Sequence, residues 1–253
     1  MPLAPEEVAR YARHIVLHEI GGPGQQRLRA ARVLVVGAGG LGSAALLYLA
    51  AAGVGTLGIV DDDSVSLSNL QRQVLHATAE VGAPKTGSAA RALARLNPHV
   101  GVEAHALRLD AAAAARLVPG HDLVLDGSDN FPTRYLVNAA CVAAGRPLVS
   151  AAMSQWEGQI AVFDPARGGP CYACLFPEAP APGLVPSCAQ AGVVAALPGV
   201  MGAMMALEAI KLVARAGTPL RGRLLVYDAL NAETCRIRIA ARPDCPVCRG
   251  MGG

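Results

Sequence analysis

A glycine-rich turn constrains the fold of this chain more than any other feature. The turn, Gly37-Ala-Gly-Gly-Leu-Gly42, follows an apolar run at 33–36 and precedes an apolar helical pattern at about 43–52. A continuous apolar run is typical of a parallel strand that is buried on both faces. A second such run, 56–60, completes a strand–helix–strand unit and ends in Asp61. The chain therefore contains the βαβ unit of a doubly wound α/β fold.

Strands and helices continue to alternate as far as about residue 150. The predicted helices are an amphipathic one up to Ile15, a short one at 25–31 after a break at Gly21-Gly22-Pro23-Gly24, and others at 85–96, 111–117 and 133–144; the predicted strands are 102–107, 123–126 and 147–150. This pattern is that of a Rossmann-like doubly wound sheet with parallel strands.

Beyond residue 150 the predicted strands have tight connections instead of helical ones. They lie at 159–163, 223–227 and 235–239, and the last alternates polar and apolar residues, as a half-exposed antiparallel strand does. We expect one α/β sheet, parallel in its N-terminal half and antiparallel in its C-terminal half, with a loop crossing it near 177–190. The whole chain, 1–253, then forms a single domain.

Composition excludes several classes of function. The chain is 53% hydrophobic and 16% charged, which argues for a buried core, and its net charge of +3 comes without a dense run of Lys and Arg. Nucleic-acid binding is therefore not expected. The uncharged stretch 189–207 approaches the length of a membrane span, but Gly192, Pro198 and Gly199 interrupt it. We expect a buried segment there, no membrane association and a cytoplasmic protein.

The glycine turn predicts a nucleotide site. Gly37, Gly39 and Gly42 allow the backbone to approach phosphate closely, and the helix that follows offers unpaired N–H groups at its N-terminus. Asp61 stands at the distance downstream that suits a ribose hydroxyl. The pattern does not choose between nucleotides, and a turn that serves only helix–strand packing is the alternative.

Other groups suit a triphosphate. Arg72, in the run Ser68-Asn69-Leu70-Gln71-Arg72-Gln73, and Lys85 could neutralise phosphates, since the chain has no P-loop motif. Asp129 and Asn130 follow a strand at the sheet edge where ligands bind; Asp129 could hold Mg²⁺ and Asn130 could bind an oxygen. Taken singly, each has a simpler explanation as a solvated charge or as helix-cap chemistry.

Four cysteines form two Cys-x-x-Cys pairs, which are Cys171 with Cys174 and Cys245 with Cys248. Two such pairs predict a closed tetrahedral site for structural Zn²⁺, and redox-active dithiols are the alternative. Of the remaining cysteines, Cys141 and Cys235 are expected to be small core residues.

Together these residues resemble the ThiF/MoeB/HesA family, bacterial relatives of ubiquitin-activating E1 enzymes. The matching pieces are Arg10-Tyr-x-Arg13, Val36-Gly-x-Gly-Gly-Leu-Gly42, the run from Asp61 to Gln73, Gly82-x-Pro-Lys85, Leu96-Asn-Pro98, Asp126-x-x-Asp-Asn130, Glu157-Gly-Gln159 and the four paired cysteines. The likeness extends from about residue 6 to 249, and it is greatest to the branch that activates the sulfur carrier of molybdopterin synthase.

The resemblance implies a reaction in which the C-terminal glycine of a ubiquitin-like sulfur-carrier protein attacks the α-phosphate of MgATP. Its products are an acyl-adenylate and pyrophosphate. The ATP site would comprise Gly37, Gly39, Gly40, Gly42, Asp61, Ser68, Asn69, Leu70, Gln71, Arg72, Lys85, Asp129 and Asn130. Arg13 would reach the triphosphate from the second subunit of a homodimer, and residues 30–150 and 151–250 would bind nucleotide and carrier respectively.

Cys188 lies in the predicted crossover loop. In some members of the family the cysteine at this place forms a persulfide or thioester-like link to the carrier, and a non-catalytic loop cysteine is the alternative.

Two further functions compete with carrier adenylation. An NAD-dependent oxidoreductase could use the same glycine turn, although no acid–base pair of His or Tyr accompanies it. A non-catalytic scaffold would retain the fold, but it would not need the cations Arg72 and Lys85 beside Asp129.

Overall fold

The computed structural model describes residues 3–181 and 191–249. Its strands are β1 (Arg32–Val36), β2 (Thr56–Val60), β3 (Gly101–His105), β4 (Leu123–Asp126), β5 (Leu148–Ser154), β6 (Glu157–Phe163), β7 (Arg223–Asp228) and β8 (Glu233–Arg238). They form one sheet in the order β3-β2-β1-β4-β5-β6-β7-β8. Neighbours from β3 to β5 are parallel, and those from β5 to β8 are antiparallel. The predicted mixed sheet is confirmed.

Helices cover both faces of this sheet. They are α1 (Pro5–Arg10), α2 (Ala12–Ile15), α3 (Gly21–Ala30), α4 (Gly40–Ala51), α5 (Lys85–Leu96), α6 (Ala111–Leu117), α7 (Phe131–Ala144), α8 (Tyr172–Leu175) and α9 (Leu197–Ala214). Strand β1 shows the two layers, because Val33 and Val35 point into a core with α4 and α9 while Leu34 and Val36 point into a core with α7. Both sides are buried, which explains the continuous apolar run.

Helix α9 is the one described helix that is long and apolar enough to cross a membrane, by length and composition alone. Half of its 18-residue window is buried inside the protein. Met201, Met205 and Ala209 have no exposed surface and belong to the core beneath α4 and β1. The burial expected for this apolar segment is confirmed for α9.

The structure corrects three local predictions. The N-terminal helix is two short helices, because Tyr11 leaves the helical path and packs its ring against Gly53. Helix α3 begins at Gly21 rather than after the glycines, since Pro23 lies in its first turn, where its missing N–H needs no partner. Cys235 is exposed rather than in the core, because its strand, β8, is the sheet edge.

Most of the crossover loop predicted near 177–190 lies outside the described residues. Cys188 also lies outside them. Of the predicted segment, 177–181 is described and has no regular secondary structure.

Two glycines of α9 provide a matched test of its packing. A Cβ on Gly202 would lie 2.3 Å from the carbonyl oxygen of Leu41 in α4, whereas one on Gly199 meets nothing within 4 Å. We expect Gly202→Ala to lower the free energy of unfolding by about 2–4 kcal/mol through overpacking. Gly199→Ala should raise it by up to about 1 kcal/mol through helix propensity. Urea denaturation measures the free energy of unfolding of both variants. Equal changes in the two variants would contradict this packing.

Candidate active site

The carboxyl ends of β1, β2 and β4 bring three loops together. Val36 is in register with Val60 on one side and with Asp126 on the other, so the segments that follow these residues lie side by side. They line a cavity of about 480 Å³. Its size falls within the range of small-molecule sites, and its place at the strand ends is that of ligand sites in open α/β sheets.

The glycine turn forms one wall of this cavity. Gly37 has a left-handed φ of +92°, and a Cβ there would lie 3.1 Å from the carbonyl oxygen of Gly127. A Cβ on Gly42 would lie 1.8 Å from the carbonyl oxygen of Gly37, so a side chain would force α4 away from the turn. Helix α4 begins at Gly40, three residues earlier than predicted, and its first two residues line the cavity. The N–H groups of a first helical turn have no partner within the helix, so they are suited to bind an anion there.

Asp61 holds the turn in place. Its Oδ2 accepts a hydrogen bond of 2.7 Å from the backbone N–H of Ala38, and its Oδ1 accepts one of 2.9 Å from that of Asp63. Burial raises the pKa of Asp61, and Lys85 opposes this shift. Part of the carboxylate is thus committed to the protein backbone, in addition to the ribose contact predicted from the sequence.

Of the cations that line the cavity, three follow β2 and β3 in the chain. Lys85 is 4% exposed, and its Nζ lies 2.7 Å from Asp63 Oδ2. Arg72 also lines the cavity, and its guanidinium donates to the carbonyl oxygen of Ser68. Arg108, after β3, is a third cation that sequence reasoning missed. The available signal was its position three residues beyond a parallel strand.

Asp129 and Asn130 stand on the cavity wall that follows β4. Among the described residues Asp129 has no hydrogen bond or ion pair, so its carboxylate is available to a ligand. The Oδ1 of Asn130 accepts the N–H of Thr133 and caps α7. Asn130 therefore has the helix-capping role that was the alternative to ligand binding in the sequence analysis.

A buried network beneath this loop was missed from the sequence. Arg134, 7% exposed, donates to the carbonyl oxygens of Ser128 and Ala151. Asp126 accepts hydrogen bonds from the N–H and hydroxyl of Ser128. The loop that carries Asp129 is thereby fixed from below.

Several predicted residues do not line the cavity. Gly42 serves packing instead, and Arg13 is exposed on α2. The residues Ser68, Asn69, Leu70 and Gln71 are also absent from the lining. They form a turn in which the carbonyl of Asn69 accepts the N–H groups of Arg72 and Gln73, and both of those residues do line the cavity. The turn therefore brings two of its residues to the cavity, and the ATP contacts of the other four stay predictions.

Gln73 is a cavity residue without a predicted role. It is 5% exposed, and its Oε1 is buried with no hydrogen-bond partner among the described residues. A buried amide oxygen without a donor is costly, and a ligand donor or a water is the usual remedy. The cavity therefore combines cations, which suit a polyphosphate, with a free carboxylate, which suits a metal ion, and an amide oxygen, which suits a hydrogen-bond donor.

The four paired cysteines meet outside this cavity, where α8 approaches the C-terminal segment. All are buried, and their sulfur separations are 3.9 Å for Cys171–Cys174, 3.6 Å for Cys171–Cys245 and 3.4 Å for Cys174–Cys248. Four sulfurs about 2.3 Å from one zinc ion would stand about 3.8 Å apart. The cluster thus fits Zn²⁺, and none of its cysteines is in a disulfide.

Comparison with known proteins places this geometry in a family. A model described as the ThiF family matches residues 11–247. The chain belongs to the ThiF family. The sulfur carrier protein adenylyltransferase of Thermus thermophilus is 52% identical over 247 residues, which are 96% of this chain and 91% of that protein. The SAMP-activating enzyme E1 of Haloferax volcanii is 51% identical and is covered over 93% of its length.

Other ThiF-family relatives are longer. The mouse adenylyltransferase and sulfurtransferase MOCS3 is 52% identical, and the match covers 98% of this chain but 55% of that protein. Among solved structures, Escherichia coli MccB with ATP is 26% identical, with a TM-score of 0.80 over 94% of this chain and 73% of MccB. None of these relatives is named an oxidoreductase, so the NAD-dependent alternative has no support.

Proposed function

We propose that this protein is an ATP-dependent adenylyltransferase of a ubiquitin-like sulfur-carrier protein. The observation that carries the proposal is the 52% identity to a sulfur carrier protein adenylyltransferase over 96% of the chain. The cationic cavity at the glycine turn supports it independently. The nucleotide-binding half comprises about residues 30–150 and the carrier-binding half about 151–250. The use of ATP by the protein fits the cytoplasmic location that the sequence predicts.

The reaction brings two anions together, the carrier's C-terminal carboxylate and the ATP triphosphate. The carboxylate oxygen bonds to the α-phosphorus, and the bond to the pyrophosphate oxygen breaks. Arg72 and Lys85, aided by Arg108, lower the repulsion between the reactants and stabilise charge on the departing pyrophosphate. A carboxylate is already a nucleophile, so no general base is required.

Among the described residues, Asp129 is the cavity carboxylate we assign to Mg²⁺. Its oxygens have no protein partner, and a carboxylate is the oxygen ligand that magnesium prefers. When bound, the ion neutralises phosphate charge. The side-chain oxygen of Asn130 caps α7, which leaves its amide N–H groups to donate to a ligand oxygen.

Replacing Asp129 tests the adenylation site. Asp129→Ala should lower carrier-dependent exchange of labelled pyrophosphate into ATP by about 100-fold or more, because the metal loses its protein ligand. Asp122→Asn is the matched control. Asp122 accepts a hydrogen bond from the N–H of Arg32 at the amino ends of the strands, away from the cavity lining, and asparagine can accept the same bond. Exchange at the wild-type rate in Asp129→Ala would refute the assignment.

The cysteine cluster is proposed as a structural zinc site. With four thiolates the ion has no open position, so its role is to fasten the C-terminal segment near Cys245 to α8. The purified protein should contain one zinc per chain, and Cys245→Ser should lose zinc and lower Tm. The exposed Cys235 provides the control, since Cys235→Ser should change neither quantity. Unchanged zinc content in Cys245→Ser would exclude this site.

A homodimer accounts for Arg13, which is exposed and outside the cavity of its own chain. Helix α2 is anchored beside it, since Tyr11 accepts a hydrogen bond from Asn97 and His14 contacts Gln25. The segment therefore presents Arg13 outward from a fixed base, and we propose that it completes the site of a second subunit.

Mixing two inactive variants tests this exchange of residues. Arg13→Ala and Lys85→Ala should each be nearly inactive as homodimers. After subunit exchange, a mixed dimer regains one site with both cations, so about a quarter of all sites recover when chains pair at random. Pyrophosphate exchange before and after mixing measures the recovery. If mixing restores nothing although mixed dimers form, Arg13 does not act across the interface.

A further inference from the structure

His76 touches the back of the glycine turn. The side chain is 8% exposed, and its Nε2 lies 2.9 Å from the carbonyl oxygen of Ala38. The N–H of the same residue, Ala38, donates to Asp61. The residue between Gly37 and Gly39 is therefore held from both sides, by a carboxylate at its N–H and by an imidazole at its carbonyl.

The other ring nitrogen is also engaged. Nδ1 lies 2.7 Å from the hydroxyl oxygen of Ser88, a fully buried residue of α5. Ser88 Oγ contacts the carboxylate of Glu80 as well, and Glu80 pairs with Arg91 at 2.9 Å. The chain of contacts runs from the glycine turn to the helix that begins with Lys85.

The partner of Nε2 fixes where one ring proton lies. A carbonyl oxygen only accepts, so Nε2 must carry the proton that binds Ala38. Ser88 has a single hydroxyl proton, which it donates to the carboxylate of Glu80, so the Ser88 oxygen faces Nδ1. Burial and Lys85 lower the pKa of His76, while the Ala38 carbonyl and Glu80 oppose the shift. Contacts at both nitrogens therefore fix the direction of the ring.

We propose that His76 is a positioning residue that holds the glycine turn in its nucleotide-binding conformation, with Ser88 holding the other nitrogen of the ring. The inference rests on the proposed function, because the turn is taken as the phosphate-binding wall. His76 does not line the cavity and touches no ligand position. It acts through Ala38, and its loss lets the turn sample conformations that bind ATP less tightly.

Calorimetric titration with MgATP, without carrier, tests the proposal. His76→Ala should raise the Kd for MgATP about tenfold, since the binding-competent turn becomes a minor state. His76→Gln should stay within about threefold of the wild type, because its amide can still donate to Ala38. The KM for the carrier should not change in either variant, whereas a general loss of structure would raise it.

His121→Ala is the matched control. His121 is buried just before β4, where its ring contacts the carbonyl oxygen of Leu117. It does not line the cavity, so loss of its side chain should leave the Kd for MgATP unchanged. Equal weakening in His121→Ala and His76→Ala, or no weakening in His76→Ala, would overturn the proposal. A wild type that binds no MgATP would instead refute the proposed function.

Ser88→Ala provides a second test that keeps the imidazole. Without the hydroxyl oxygen, Nδ1 loses its partner and the ring can turn away from Ala38, so MgATP should bind more weakly than in the wild type. Wild-type affinity in Ser88→Ala would refute the role assigned to Ser88.

Discussion

The side-by-side ends of β1 and β4 are the constraint on which the rest of the molecule depends. Val36 and Asp126 stand in register, so the chain leaving β1 and the chain leaving β4 emerge in contact. Only glycine fits where they touch, since a Cβ on Gly37 would press on Gly127 and one on Gly42 would overlap the Gly37 carbonyl. That contact brings the N-terminus of α4 beside Asp129 and creates the cavity.

The sequence predicted the architecture because its signals are local. Apolar runs give buried strands, and the positions of Lys85 and Asp129 after β2 and β4 place both at one sheet edge. It failed where a tertiary contact decides the outcome. Tyr11 breaks its helix against Gly53, and Cys235 is exposed because its strand has a single neighbour. Neither contact produces a periodic pattern in the sequence.

The same distinction applies to the site. The turn glycines, Lys85 and Asp129 belong to short motifs with a known spacing, so they could be chosen from the sequence. Arg134 and His76 could not, because each acts on a backbone carbonyl that lies distant in sequence or across a loop. Their common signal is a buried polar side chain, and burial is known only from the fold. The support beneath a site is therefore what the structure adds to the motif.

The cavity is proposed to bring a peptide carboxylate to the α-phosphate of ATP. The decisive measurement is intact-mass spectrometry of a ubiquitin-like sulfur carrier after incubation with the wild-type protein and MgATP. The carrier should gain the mass of one adenylyl group at its C-terminal glycine, and a carrier lacking this glycine should gain none. Tight MgATP binding with no mass gain on any carrier from the same organism would show that the protein does not adenylate a carrier.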